Sequence, residues 1–530
     1  MAIGTILSRI TGFFRAVLGV AVLGTALLAD TYNVANTMPN ILYNLLVGGA
    51  LTAIFVPQLV RASSDDDGGN GFASRLVTTI SGILLVLVLI GVVFAPYLVR
   101  LYAPEFSELA VEQEIAVAFT RYCLPQIFFL GLFTMLGQVA NSRGSFAPLM
   151  WAPIANNLVV IAVFTSFLVL QDEITSATIT SGQVQLLGWG TTAGVVIQAL
   201  ILIPVVRKVG ISLKPSFGVK GLGKSFSLAG WTLVYVLISQ LGYLVTVNVA
   251  TTAAVRSDRL GITTGVGFTP YTNAYYIMLL PYSIVTISIV TALLPHLSKL
   301  AIAKKVDEVK EQLVRAIKMV GVITVPSAIA LIFFGPLITE VLFMGVTLDD
   351  ARYIGYVLSA LGFGLIPFSI NLILVRGFNA FEDTRTQVIS IFAINVISVL
   401  LSYLFLGILE SDVVTIGLGV AFSISYIVGF FITVALIRRH IGVLKLREFG
   451  KQHSLLILAS ILAMAPVALF THYVNWANDD VALIIRMARL ALVMVLSGIG
   501  YFVISHLFGI TEIHSLRGYG KKLLQGRGKK

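Results

Sequence analysis

The chain has 530 residues, 57% hydrophobic and only 12% charged, with a mean hydropathy of +0.94 and a formal net charge of +11. Soluble domains carry about 25% charged residues, so this composition excludes a water-soluble globular enzyme and points to a polytopic membrane protein. The basic excess is spread over several loops instead of one patch or stripe, which argues against nucleic acid and for topology and lipid contact.

Apolar runs of about 20 residues, the length that crosses a bilayer, recur roughly fourteen times. Span one covers 3–27 and span two 34–60; the polar loop SSDDDGGNG (63–71) then leads to span three at 77–103. Spans four to six follow at 116–142, 147–170 and 184–206. Spans seven to twelve fall at 226–253, 266–298, 314–344, 353–381, 386–409 and 413–437. Spans thirteen and fourteen are 453–474 and 482–508. Two arginines interrupt the first run and no charged segment precedes it, so it reads as a span and not as a cleaved signal peptide.

Lysine and arginine collect in 207–225, 299–318, 438–451 and 521–530, whereas the alternate loops hold Asp172 and Glu173, Glu410 and Asp412, and Asp479 and Asp480. By the positive-inside rule both termini are expected in the cytoplasm, which requires an even number of spans. Arg256, Arg259, Arg486 and Arg489 fall on the opposite side from the other basic residues.

The two halves carry matching features 238 residues apart: Pro57 with Pro295, Asn141 with Asn379, and Asn157 with Asn395. Six spans per half makes the repeats parallel, related by a pseudo-two-fold axis along the membrane normal, with the substrate site expected where they meet. The expected organisation is an N-lobe at 1–224, a C-lobe at 225–440, two added spans within 441–510 and a basic tail at 511–530.

GVKGLGKS (218–225) matches the phosphate-binding pattern GxxxxGK[ST], but that loop needs a buried strand before it and a soluble helix after it. Here it joins two spans, so it reads as a basic connector. Asp65, Asp66 and Asp67 sit among glycines with no second cluster to frame a cation, and read as a solvated loop. The six histidines lack ligand spacing, and the single cysteine, Cys123, lies within span four, where a small buried hydrophobe is the simplest role. No cofactor, metal or enzymatic activity is expected.

Arg9 and Arg15 are the informative residues. An arginine at the centre of a span costs roughly 2.5–3.5 kcal/mol, so it faces a polar cavity where it cannot snorkel. Arg9 is near enough to the cytoplasmic end for either; Arg15 lies about 18 Å beyond residue 3 and favours the cavity. The pair is about 9 Å apart along the helix and about 120° apart around it. A cationic cavity implies an anionic passenger. Asp30, at the outer end of span one, has three readings: a cap for span two, a partner for a cavity arginine, or a loop acid. Arg376 completes a basic cavity or snorkels. Spans one, two, seven, eight, eleven and twelve carry essentially no buried carboxylate, which weakens a proton- or sodium-coupled drug antiporter.

SRITGFFR (8–15), DTYNVANTMPN (30–40), FVPQLVRA (55–62), LLPHLSKLA (293–301) and FNAFEDTRT (378–386) resemble, in order and spacing, the MurJ/MviN lipid II flippase family. The resemblance covers essentially the whole chain. It implies an all-α fold of the multidrug/oligosaccharidyl-lipid/polysaccharide exporter superfamily, with fourteen spans in two six-helix lobes and a polyprenyl-tail groove at spans thirteen and fourteen. It implies lipid II as passenger, with Arg9, Arg15 and Asp30 at family positions tied to activity. Asn40, Tyr43, Tyr276 and Arg376 are further expected substrate contacts. Another polyprenyl-linked oligosaccharide is the alternative passenger. The chain departs from many Gram-negative members: Tyr43 and Asn44 stand where an arginine is usual, Gly48 where a glutamate is, and Tyr276 where span eight usually has arginine. In this it is similar to actinobacterial members.

Overall fold

The structure, a computed structural model, describes residues 2–45, 59, 62, 67–170, 174–218, 223–444, 446–476 and 481–510. Gly48, Pro57, Arg61, Asp65, Asp66, Asp172, Glu173, residues 219–222, Asp479, Asp480 and the tail at 511–530 lie outside them. Among the described residues all regular structure is helical. Apolar side chains all round leave the backbone as the only polar component, and in hydrocarbon a helix satisfies it internally. Among the described residues, eleven helical segments are long and apolar enough to cross a membrane, at the expected spans three to seven and nine to fourteen.

The chain divides into two compact units, Met1–Thr269 with Glu410–Asp412, and Pro270–Leu409 with Val413–Lys530. The first unit contains α1 (Ala2–Leu23), α2 (Leu27–Tyr43), α3 (Asn70–Val93), α4 (Ala95–Tyr102), a 3-10 turn (Pro104–Glu108), α5 (Ala110–Cys123) and α6 (Gln126–Ser142). It continues through α7 (Ala147–Leu170), α8 (Ser181–Leu200), α9 (Leu202–Lys208) and α10 (Gly223–Arg259). Helix α11 (Phe268–Pro281) opens the second unit and passes through a π-helical turn (Tyr282–Thr286) into α12 (Ile287–Ile302). Then come α13 (Val306–Leu342), α14 (Leu348–Ala380), α15 (Thr384–Ile408), α16 (Val414–Ile441), α17 (Leu446–Tyr473) and α18 (Leu483–Leu507). This division follows contacts, and its boundary after Thr269 differs from the repeat boundary expected at 224/225.

Prolines set the breaks. Span three is not one rod over 77–103: α3 starts at Asn70 and ends at Val93, and Pro96 opens α4. Span four breaks at Pro125, between α5 and α6. Pro281 lacks an N–H and crowds the preceding turn, and the helix widens into the π turn directly after it.

Helix pairing follows the same order in both units. In the first, α2 packs on α5, α5 and α6 on α8, α3 on α6, and α7 on α8. In the second, α12 packs on α14, α14 on α16, α13 on α14, and α15 on α16. Spans two with four, four with six, three with four, and five with six thus recur as eight with ten, ten with twelve, nine with ten, and eleven with twelve. Helix α17 packs on α13 and α18 on α17, around a core that includes Val325, Leu456, Ala459 and Val493.

Two of the arginines on the unexpected side have local partners. Arg259 pairs with Glu108, and Arg489 lies 5.1 Å over the Trp476 ring while donating to its backbone carbonyl at 3.2 Å. An interfacial tryptophan is a usual anchor for such a cation.

Candidate substrate site

Helix α1 packs on α7 through a face that includes glycines. A Cβ at Gly4 would meet the Trp151 ring at 3.0 Å, at Gly12 the Asn157 amide at 3.4 Å, and at Gly19 the Phe164 ring at 3.3 Å. Asn157 donates to the Ser8 carbonyl and to Thr11 Oγ1, both at 3.0 Å, tying the two helices at mid-span. At Gly12 the neighbour admitted by the missing side chain is Asn157. At about 100° per residue Arg15 falls close to this packed face, and Arg9 about 120° away from Arg15. Both are half-buried.

Arg15 turns into the first unit. Its charge acts on the buried Tyr32, whose hydroxyl lies 2.7 Å from Thr191 Oγ1. The Tyr32 ring is clamped edge-on by Phe119 (5.4 Å, 83°) and Phe164 (5.9 Å, 69°). Beside it, Gln126 donates to Thr192 Oγ1 at 3.3 Å and to Asn36 Oδ1 at 3.4 Å, and Asn156 donates to Gln198 at 3.0 Å. Among the described residues no carboxylate pairs with Arg15. The sequence reading missed Tyr32, Gln126 and Thr191; the signal was there, since α2 carries Tyr32, Asn33, Asn36 and Asn40 in an otherwise apolar span.

Asp30 fits none of its three expected readings. It is fully buried, and its Oδ2 and Oδ1 accept the backbone N–H groups of Phe268 at 2.9 Å and Thr269 at 2.7 Å. These are the first two residues of α11, whose free N–H groups and positive dipole end suit a carboxylate. Gly267 makes the approach feasible: its φ is +138°, and a Cβ there would lie 2.2 Å from Asp30 Oδ2. Both carboxylate oxygens are thereby engaged, away from Arg15.

The remaining expected residues are dispersed. Asn40 is exposed on α2, and Tyr43 is half-buried with its hydroxyl 2.5 Å from Thr134 Oγ1 on α6. In the second unit Tyr276 is 48% exposed, and the half-buried Arg376 has an Nε with no partner among the described residues. Asp67 is a cap: its oxygens accept the N–H groups of Gly71 at 2.6 Å and Gly69 at 2.8 Å, which hold its carboxyl below the usual range. Cys123 is fully buried and unpaired.

The profile of the family described as lipid II flippase MurJ matches residues 20–487. The chain belongs to the MurJ family. It is 27% identical over 427 residues to the lipid II flippase MurJ of Burkholderia cenocepacia, covering 78% of this chain and 79% of that one. Among solved structures, lipid II flippase MurJ in an inward closed conformation superposes with a TM-score of 0.72 at 21% identity, covering 96% of this chain and 98% of that chain. An inward-facing multidrug resistance MATE family transporter of the MOP superfamily gives a TM-score of 0.62 at 14% identity, over 83% of this chain and 98% of that chain. These likenesses establish the all-helical fold of a MurJ-type multi-pass transporter, in keeping with the resemblance seen in the sequence.

Proposed function

We propose that this chain moves lipid II, the undecaprenyl-pyrophosphate-linked peptidoglycan precursor, from the cytoplasmic to the outer leaflet by alternating access, without covalent chemistry. Family membership supports the passenger. The observation that carries the site is Arg15, half-buried beside the buried Tyr32, with no carboxylate paired to it among the described residues. A pyrophosphate matches guanidinium forks in geometry and charge, and loses less to competition when no resident anion occupies them.

In this reading Arg15 and Arg9 receive the pyrophosphate, and Asn40, Tyr43, Tyr276 and Arg376 contribute to the headgroup path. Asp30 acts through α11, as a latch released when the outer side opens. The N-lobe is 1–224, the C-lobe 225–440, and spans thirteen and fourteen (441–510) carry the polyprenyl tail, with the tail at 511–530 and both termini in the cytoplasm. Replacing Arg15 by alanine in a host depleted of the native protein tests the assignment. Lipid II should accumulate on the cytoplasmic side while the variant stays inserted in the membrane; translocation at the native rate overturns the role given to Arg15.

A further inference from the structure

Pro326 stands in the middle of α13 and has no N–H, so the carbonyl of Val322, four residues before it, loses the donor that an α-helix would give it. Inside a span no water is at hand to replace that donor. The replacement comes from another helix: the hydroxyl of Tyr501, on α18, donates to Val322 O at 2.7 Å. Tyr501 is 4% exposed and sits in the apolar core that α13 shares with α17 and α18. Helix α17 reaches the same turn of α13. Gln452 Nε2 donates to the Lys318 carbonyl at 3.4 Å, and a Cβ at Gly321 would lie 2.6 Å from His453 Nε2, so the imidazole rests on bare backbone. Beyond the proline α13 is held by α14, where Ser359 donates to the Leu331 carbonyl at 3.1 Å and Gly355 brings its backbone against Pro336.

We propose that Tyr501 is the pin of a hinge in α13 at Pro326, and that through it spans thirteen and fourteen pass the binding of a lipid tail to the C-lobe. A proline break lets a helix bend, provided the freed carbonyl keeps a partner. Any change of bend in α13 must therefore carry Tyr501 along or leave the Val322 carbonyl bare in hydrocarbon, which is costly. That ties the movement of α18 to the movement of α13. Tyrosine suits the task, because its ring packs as a rigid apolar body while only the hydroxyl at its tip meets the backbone. This rests on the reading of spans thirteen and fourteen as the carrier of the polyprenyl tail, and adds the contact through which the lobe responds to it.

Amide hydrogen exchange over residues 318–332 of the full-length protein in detergent tests it, with binding measured alongside. The probes are undecaprenyl pyrophosphate and farnesyl pyrophosphate, which share a headgroup and differ in tail length. In the native chain the long-tailed probe should bind more tightly and slow exchange in this segment, and the short-tailed one should leave it unchanged. Tyr501→Phe keeps the ring and removes only the hydroxyl. It should raise exchange without ligand roughly fivefold, the scale of one hydrogen bond, and abolish the response to the long tail while still binding it. Pro326→Ala restores the missing N–H, so adding Tyr501→Phe to it should change exchange no further, a coupling that a general loss of packing does not produce. A native response to the long tail in Tyr501→Phe overturns this proposal alone. So does an equal rise in exchange when Tyr501→Phe is added to Pro326→Ala, or a native chain that binds the long tail more tightly without any change in the segment. Equal affinity of the native chain for the two probes overturns the tail reading of spans thirteen and fourteen and this proposal together.

Discussion

Spans two and eight occupy equivalent places in the two repeats, yet one is lined with polar groups and the other with aromatic rings. At the repeat distance of 238 residues, Asp30 faces Phe268, Asn33 faces Tyr271, Asn36 faces Ala274, Thr37 faces Tyr275 and Asn40 faces Met278. Spans one and seven differ in the same sense: Arg9 corresponds to Val247 and Arg15 to Ala253, both of them buried. The second unit fills the space with rings. Tyr271 stacks on Tyr275 at 6.3 Å, Tyr275 meets Phe422 edge-on at 5.8 Å, and Tyr282 lies 4.5 Å from Phe368. Four helix pairings nonetheless recur between the two units. Pairing order depends on helix lengths, loop lengths and small residues at the contacts, so the chemistry of the interior is free to diverge on a common frame.

The sharpest way to break this comparison is at the buried charges, because each unit uses one carboxylate differently. In the second unit Glu340, 2% exposed at its side chain, accepts from Arg352 Nε at 2.8 Å, joining the end of α13 to the start of α14. Removing one partner strands the other, so Glu340→Ala should lower stability by about 3–5 kcal/mol, whereas replacing both by leucine and methionine should be close to neutral. Thermal unfolding of the purified variants reads both; a single variant as stable as the native chain means the pair adds nothing to the second unit. In the first unit Asp30→Ala should be somewhat milder, about 3 kcal/mol, since it orphans two buried backbone donors. Gly267→Ala should reproduce that loss by displacing the same carboxylate, and an Asp30→Ala variant that Gly267→Ala does not mimic breaks the link between them.

These residues also mark where sequence reading succeeds and where it stops. Among the described residues, membrane-length helices stand at eleven of the expected spans because hydropathy is a local property and the bilayer sets their length. Arg15 stood out in the sequence for the same reason: a charge about 18 Å into a span has few alternatives. Span three was run past Val93 because Pro96 breaks a helix that hydropathy alone runs together, whereas span four ends at Ser142 as expected, with its break inside, at Pro125. Asp30 was misread because its partners are backbone N–H groups 238 and 239 residues away, which no side chain advertises. Tyr32 was overlooked because a tyrosine in a span passes for an interfacial anchor until its hydroxyl is seen buried against Thr191.

The smallest effect lies outside the spans, at the start of α15. Asp383 Oδ1 accepts the Thr386 N–H at 3.0 Å, and its Oδ2 lies 2.7 Å from His440 Nε2, whose ring stacks on Phe381 at 5.0 Å. Burial pushes the Asp383 carboxyl up, but the hydrogen bonds from Thr386 and His440 outweigh it and hold the group below the usual carboxylate range. A lowered carboxyl stabilises the fold above its unfolded-state value, near 3.9 for aspartate, and loses that contribution as pH falls through the lowered folded value. Asp383→Ala should therefore lower stability by about 1 kcal/mol at neutral pH, as for loss of a helix cap. The gap between variant and native chain should persist down to about pH 4 and close only below it. Unfolding midpoints measured from pH 7 to pH 3 test this: a gap that closes already above about pH 5 would show that the Asp383 carboxylate is not what holds the start of α15.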